Sequence, residues 1–295
     1  MTTIQTNNTI TLSDGRRLGY AEYGDPNGKA VFLFHGNPGS RLGWMPLEGN
    51  RYPSGIRIIA PDRPGFGLSD FKPGRTHLDW PDDVVELADT LGIERFAVAG
   101  VSGGGPHVLV CAWKIPERLT AVGVVSTGPP VPEALEGTSQ TNRLIFSLAR
   151  RAPWLIQLNG KFLAWMVRRN PERMIKQLLS AYPQVDKDIL ARHEVQHFFK
   201  RDMAEAFRQG GRGSAHEVIL YARPWPFSLQ EIKMQIHLWH GEADNATSPA
   251  MGRYLAKTLP HCQANFIPEA GHLWVLDHIN EVVSTLTTNL NSRIR

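Results

Sequence analysis

Apolar residues recur along this chain as short continuous runs, most of them closed by turn formers. Ala30 to Phe34 ends in His35-Gly36, Ile56 to Ala60 in Pro61-Asp62, Phe96 to Ala99 in Gly100, and Ala121 to Val125 in Ser126; Gln235 to Trp239 and Ala264 to Ile267 follow late in the chain. Runs of four or five residues rich in Val, Ile and Phe predict strands buried on both faces of a parallel sheet. A hairpin precedes them, Thr9 to Leu12 and Arg16 to Tyr23 around Ser13-Asp14-Gly15. Between the runs, helical periodicity covers Asp79 to Leu91, Gly104 to Trp113, Pro249 to Leu259 and Val275 to Leu290. The first of these carries acids in its opening turn, where they suit the helix dipole. Strands alternating with helices predict an α/β fold, a mostly parallel central sheet flanked by helices and joined by right-handed crossovers.

The alternation stops between residues 129 and 228. Helical patterns continue there (Arg143 to Arg151, Trp154 to Arg169, Pro171 to Ala181, Lys187 to Gln209, His216 to Tyr221) with no strand-like run. Pro129-Pro130-Val131-Pro132 opens the stretch and Pro224-Trp225-Pro226 closes it. Such a piece dropped between two strands is expected to be a helical cap, residues 129–228, inserted into a core of residues 1–128 and 229–295.

Length and charge sharpen this. A chain of 295 residues fits one large domain with an insertion, and buries enough surface to need neither disulfide nor metal. Two cysteines, Cys111 and Cys262, exclude a disulfide scaffold, a Cys-ligated zinc ribbon and an iron–sulfur ferredoxin, and point to a reducing, cytoplasmic setting. The N-terminus has no secretory pattern, and no uncharged apolar run reaches the roughly 18 residues of a membrane span. The net charge of +4 is unevenly placed: residues 131–228 hold 15 Lys and Arg against 9 Asp and Glu, the rest 17 against 19. No dense basic stripe or recognition motif suggests nucleic acid. No cofactor or metal is called for. Oligomeric state is left open.

The chemistry concentrates at strand ends. Gly100-Val101-Ser102-Gly103-Gly104 joins an apolar strand to a buried helix, the setting of a G-x-S-x-G nucleophile elbow. A strand turning directly into a helix crowds its neighbours, so glycines flank the turn while one serine projects. A serine hydroxyl needs a base. Of 11 histidines, His35 and His240 close strands as His-Gly turns, His107 sits on the buried helix, and His193, His197 and His216 belong to the helical insertion. His272 follows the last strand and opens on the same sheet edge as Ser102. The acid that orients it is expected at Asp244, after the preceding strand, with Glu242 as rival on the same loop.

These motifs, with His35-Gly36-Asn37-Pro38-Gly39 and Asp62-Arg63-Pro64-Gly65-Phe66-Gly67-Leu68-Ser69, resemble the α/β-hydrolase superfamily over the whole chain except the insertion. The resemblance implies a Ser102–His272–Asp244 triad and an oxyanion hole formed by the backbone N–H groups of Asn37 and Gly103. The Asp62–Ser69 segment reads as a structural turn braced by its charge pair. Epoxide hydrolases and haloalkane dehalogenases carry aspartate where Ser102 stands, so both are disfavoured, although some dehalogenases use an asparagine at the Asn37 position. Prolyl iminopeptidases typically carry His-Gly-Gly-Pro-Gly and a bulky residue after the serine; Asn37 and Gly103 depart from that.

The expected activity is cleavage of a carboxylic ester or related small acyl substrate through an acyl-enzyme. A carbon–carbon hydrolase, an aminopeptidase, or a lactonase or thioesterase on the same triad is the alternative, and a weakly catalytic ligand-binding receptor the further one. The insertion reads first as helices packed on each other and on the sheet. It reads next as the lining of a substrate pocket, with Phe146 and Trp165 as candidates and Trp274 of the core as a third. A weak peripheral membrane contact through its basic face, without stable insertion, is the third reading.

Overall fold

The computed structural model describes residues 3–45, 52–129, 139–180 and 182–288. Within these, eight strands form one sheet: β1 (Thr3–Thr11), β2 (Arg17–Gly24), β3 (Lys29–Phe34), β4 (Ile56–Pro61), β5 (Phe96–Val101), β6 (Leu119–Val125), β7 (Ile236–Gly241) and β8 (Cys262–Ile267), in the order β1-β2-β4-β3-β5-β6-β7-β8. The hairpin β1–β2 and the β2–β4 pair are antiparallel, and every pair from β4 to β8 is parallel. α1 (Trp80–Thr90) and α2 (Gly105–Lys114) precede β6; α9 (Pro249–Thr258) and α10 (Val275–Thr288) follow β7.

Strand alternation divides the core into two layers. Phe32, Phe34, Val98, Val122, Val124 and Leu238 face Trp80, Val84, Leu87, Val108 and Leu255 on one side. Val31, Leu33, Ala97, Ala99, Val125 and Trp239 face Val282, Val283 and Leu286 of α10 on the other.

Among the described residues, six α-helices lie between β6 and β7: α3 (Gln140–Arg151), α4 (Pro153–Arg169), α5 (Pro171–Ser180), α6 (Gln184–Ala191), α7 (His193–Ala206) and α8 (Arg212–Tyr221). The single helix expected from Lys187 to Gln209 is therefore two. Arg192 takes an extended backbone, ψ 132°, while its side chain bonds the Ile189 carbonyl and pairs with Asp277 of α10 at 2.8 Å. Periodicity alone could not register that break, because the partner is 85 residues away. The expected hinge residues Pro130 to Pro132, and the expected helix ends Ala181 and Leu290, lie outside the described residues.

Two buried ion clusters tie these helices to the core. Arg41 pairs with Asp62 at 2.8 Å and with Glu205 of α7 at 2.6 Å. Glu217 of α8 meets Arg63 at 3.0 Å, Arg75 at 2.6 Å and His107 at 3.0 Å, all wholly or nearly wholly buried. The expected brace between neighbouring Asp62 and Arg63 is corrected here: each finds its partner elsewhere. Asp62 also accepts from the amides of Arg41 and Leu68, so it closes its own turn through backbone hydrogen bonds.

Candidate active site

Asn37, Ser102, Asp244 and His272 all sit just beyond the carboxyl ends of parallel strands β3, β5, β7 and β8, on the sheet edge where ligands bind in open α/β sheets. Ser102 is held at φ 52°, a left-handed conformation that costs a non-glycine residue about 1–3 kcal/mol. The crowding foreseen at this turn is real. A Cβ at Gly100 would lie 2.8 Å from the Gly104 backbone, and one at Gly104 2.4 Å from the Phe34 carbonyl oxygen. Thr127 Oγ1 donates to the Ser102 carbonyl at 2.7 Å and fixes the turn from β6.

His272 Nδ1–H donates to Asp244 Oδ2 at 2.8 Å. Asp244 Oδ1 accepts from the amides of Ala246 and Thr247, which locks the carboxylate. This tautomer leaves Nε2 without a hydrogen-bond partner among the described residues, and His272 lines the same cavity as Ser102. Glu242, the rival acid, is spent on an exposed pair with Arg253 at 2.6 Å. His240 donates from Nε2 to the Thr247 carbonyl, a loop contact consistent with a turn former. His35 donates from Nδ1 to the Gly36 carbonyl and accepts from the Arg63 amide at Nε2, so it too holds a loop.

Each member of the pair favours the charged form of the other. Burial works against charge on His272, but the charge and hydrogen bond of Asp244, together with the charge of Asp186, lift its pKa above the usual 6.5. Burial likewise opposes charge on Asp244, and the neighbouring His272 nevertheless brings it below the usual carboxylate value.

Asp186, on α6, escaped sequence reading. It is fully buried, and its two carboxylate oxygens accept from the amides of His272 and Leu273 at 2.9 and 2.8 Å. A base of raised pKa must be neutral to work, so activity should climb with pH through a midpoint above 6.5. Asp186→Asn removes the second negative neighbour and is expected to move that acid limb to lower pH in a kcat/KM profile. Asp186→Ala frees the loop and should cost roughly 10- to 100-fold in kcat/KM. An unmoved limb in the Asn variant would show that Asp186 only packs.

Asn37 and Gly103 come together opposite the serine: a Cβ at Gly103 would lie 3.0 Å from Asn37 Cβ. Arg63 clamps the Asn37 loop by donating to the carbonyls of His35 and, at 3.1 Å, Gly36. The Tyr221 hydroxyl lies within hydrogen-bonding distance of Glu217 and, at 2.9 Å, of the Gly103 carbonyl, so α8 touches the turn that carries the serine.

These residues open onto a cavity of about 450 Å³, lined by Trp44, Ile145, Phe146, Phe198, Met203, Val218 and Leu276 among others. Of the three aromatic candidates, Phe146 lines this cavity and Trp165 and Trp274 do not. Trp165 is exposed and stacks on Phe162, and Trp274 stacks on His278 against the α10 side of the sheet. Trp165 faces solvent from α4, none of whose residues line the cavity, and Trp274 lies in the turn before α10, placements that apolar content cannot reveal. Among the described lining residues there is no Lys or Arg, and the single carboxylate, Asp202, accepts from the amide and hydroxyl of Ser40. Burial pushes the Asp202 carboxyl up to about 7.

Comparison with known proteins places this arrangement in context. A Bacillus subtilis (strain 168) protein, provisionally named as a 2-succinyl-6-hydroxy-2,4-cyclohexadiene-1-carboxylate synthase, is 25% identical over 89% of this chain and 90% of its own. A lipase from Psychrobacter immobilis is 22% identical over 92% of this chain and 80% of its own, whereas three relatives at 32–35% identity are matched over less than half their own length. Epoxide hydrolase A from Mycobacterium thermoresistibile superposes with a TM-score of 0.70 at 19% identity, covering 98% of each chain. A thermophilic esterase from Thermogutta terrifontis does so with a TM-score of 0.66 at 21% identity, covering 99% of this chain and 100% of the other. At these identities the superpositions speak for the fold. The model of the alpha/beta hydrolase family matches residues 30–285, and the chain belongs to that family.

Proposed function

We propose that this protein is a serine hydrolase that cleaves an uncharged carboxylic ester with an apolar acyl or alcohol part. One observation carries the reading: a serine held at positive φ on a strand-to-helix turn shares a cavity with a histidine whose Nδ1 is bound to a buried aspartate. In the proposed reaction Ser102 Oγ attacks the ester carbonyl carbon while His272 Nε2 takes its proton. The amides of Asn37 and Gly103 receive the developing oxyanion, and Asp244 stabilises the imidazolium. His272 then returns the proton to the leaving alcohol. Water, deprotonated by the same nitrogen, cleaves the acyl-enzyme and regenerates Ser102. Residues 129–228 serve in this reading as a cap over a core of residues 1–128 and 229–295, supplying Phe146, Phe198 and Val218 to the acyl pocket.

The lining favours a neutral substrate over the carboxylate that appears in the name of the Bacillus relative, and over acidic ring-fission products generally. An anion entering this cavity would lose water without gaining an arginine or lysine, a cost of several kcal/mol. Ser102 also stands against epoxide opening, for which an elbow aspartate would be needed.

A fluorophosphonate probe should label the protein at Ser102, with hydrolysis of p-nitrophenyl butyrate as the companion assay. Replacing the butyryl group with a hemisuccinyl group of similar length should lower kcat/KM by roughly tenfold or more. Equal rates on the two esters would remove the neutral-substrate reading, and absence of labelling would remove the serine mechanism.

A further inference from the structure

The cap carries a second feature that the proposed reaction leaves unused. On α4, Trp154, Leu158, Phe162 and Trp165 are 63, 57, 52 and 56% exposed. Their spacing of four, four and three places them on one helical face, along about 17 Å of axis. Ile156, Gly160, Ala164 and Val167 occupy the opposite face and are buried, Ile156 beside Ala215 and Ile219 of α8 and Ala164 and Val167 beside Met203 of α7 and Phe207. The apolar stripe is thus what remains after the helix has made its internal contacts. Leu144 on the neighbouring α3 is 59% exposed as well.

Charge identifies the occupant. Residues 140–170 contain Arg143, Arg150, Arg151, Lys161, Arg168 and Arg169, and not one Asp or Glu. By helical geometry Lys161 and Arg169 fall beside the aromatic stripe, and Arg150 and Arg151 close α3 where α4 begins. Among the described residues, Arg150, Arg151, Lys161 and Arg169 meet no carboxylate. A second copy of the chain is a poor fit, since a two-fold contact through this face would set the same cations against each other.

We propose that the α3–α4 face docks on an anionic lipid bilayer, with Trp154, Phe162 and Trp165 entering the headgroup boundary and the flanking arginines and lysine meeting lipid phosphates. Tryptophan and phenylalanine on one side of a helix, with basic residues beside them and no acids, is the pattern that rests in a membrane interface without crossing it. No helix of the described residues is long and apolar enough to span a bilayer, so the contact is peripheral. Its position matters for access. Leu144 on α3 is exposed, whereas its chain neighbours Ile145 and Phe146 line the cavity, so the docked face adjoins the wall of the acyl pocket.

Co-sedimentation of the intact protein with vesicles tests this, using phosphatidylcholine alone and phosphatidylcholine mixed with phosphatidylglycerol. Binding to the anionic vesicles should exceed binding to the neutral ones by roughly tenfold or more, and should weaken as salt rises. Trp154→Ser/Phe162→Ser should reduce binding by roughly tenfold, leaving p-nitrophenyl butyrate turnover unchanged because both side chains lie outside the cavity. Arg150→Gln/Arg151→Gln/Lys161→Gln/Arg169→Gln should abolish the preference for phosphatidylglycerol. The proposal is overturned if neither vesicle binds the parent protein, or if the variants bind as the parent does. A parent dimer that the aromatic variant dissolves in ultracentrifugation would likewise overturn it, assigning the stripe to a second copy. Vesicle binding is read without turnover, so its failure leaves the proposed esterase reaction standing.

Discussion

Ser102→Ala is expected to lower ester turnover by roughly 10⁴- to 10⁶-fold and to abolish fluorophosphonate labelling. The size follows from the role proposed for the residue: without Oγ no acyl-enzyme would form, and only binding and the two proposed oxyanion amides at Asn37 and Gly103 would remain to accelerate attack by water. Stability should barely change. Alanine keeps the Cβ and therefore the strain of φ 52°, so a midpoint within a few degrees of the parent shows that loss of activity is not loss of fold. Ser102→Gly supplies the complement, because glycine accepts that backbone without cost. It should be equally inactive and about 1 kcal/mol more stable in urea unfolding. An alanine variant that still takes the label at full rate would remove Ser102 from the chemistry.

The largest stability effect is expected at Glu217. Its carboxylate is the shared partner of Arg63, Arg75 and His107 in a region closed to solvent. Glu217→Leu leaves two guanidinium groups buried without a counter-charge, a change worth about 3–5 kcal/mol. Adding Arg63→Met should recover part of that loss, since one stranded charge goes with it. The same group sets an acid limit. Burial alone would raise its pKa, but Arg63, His107 and Arg75 together hold it well below the ordinary 4.5. A depressed carboxylate contributes stability that is present above the unfolded value and disappears as pH falls through the folded one. The parent should therefore lose this contribution only in strong acid, and the Leu variant should show a flatter stability profile there. Burial lowers His107 to about 4, so it stays neutral across the working range and is no substitute cation. A Glu217→Leu protein within about 0.5 kcal/mol of the parent would show that the cluster is neutral to the fold.

Glu217 also connects stability to the site. The carboxylate anchors Arg63, Arg63 clamps the carbonyls of His35 and Gly36, and that loop presents the Asn37 amide. Tyr221, one helical turn along α8, reaches the Gly103 carbonyl beside Ser102. Both proposed oxyanion donors are thus steadied by contacts from the helices between β6 and β7, which gives those helices a positioning part in the proposed reaction as well as a share of the cavity lining.

Much of this molecule is local and was legible as such. Apolar runs, glycine spacing and turn formers are governed by neighbours a few residues apart, and they specified the parallel strands and the elbow at Ser102. The order of the elements then put His272 and Asp244 at the same sheet edge, because every parallel strand ends there. What only the tertiary structure decided is which side chains meet across long separations. Asp186 reaches the His272 amide over 86 residues and Glu217 reaches Arg63 over 154, and neither leaves a periodic or motif signal in its own segment. The direction of a helix face belongs to the same class. Trp165 and Phe146 are alike in composition and context, but Trp165 looks outward and Phe146 into the cavity, since helix packing is settled by the fit of whole surfaces around residues such as Gly160, whose missing side chain lets the Gly211 carbonyl approach.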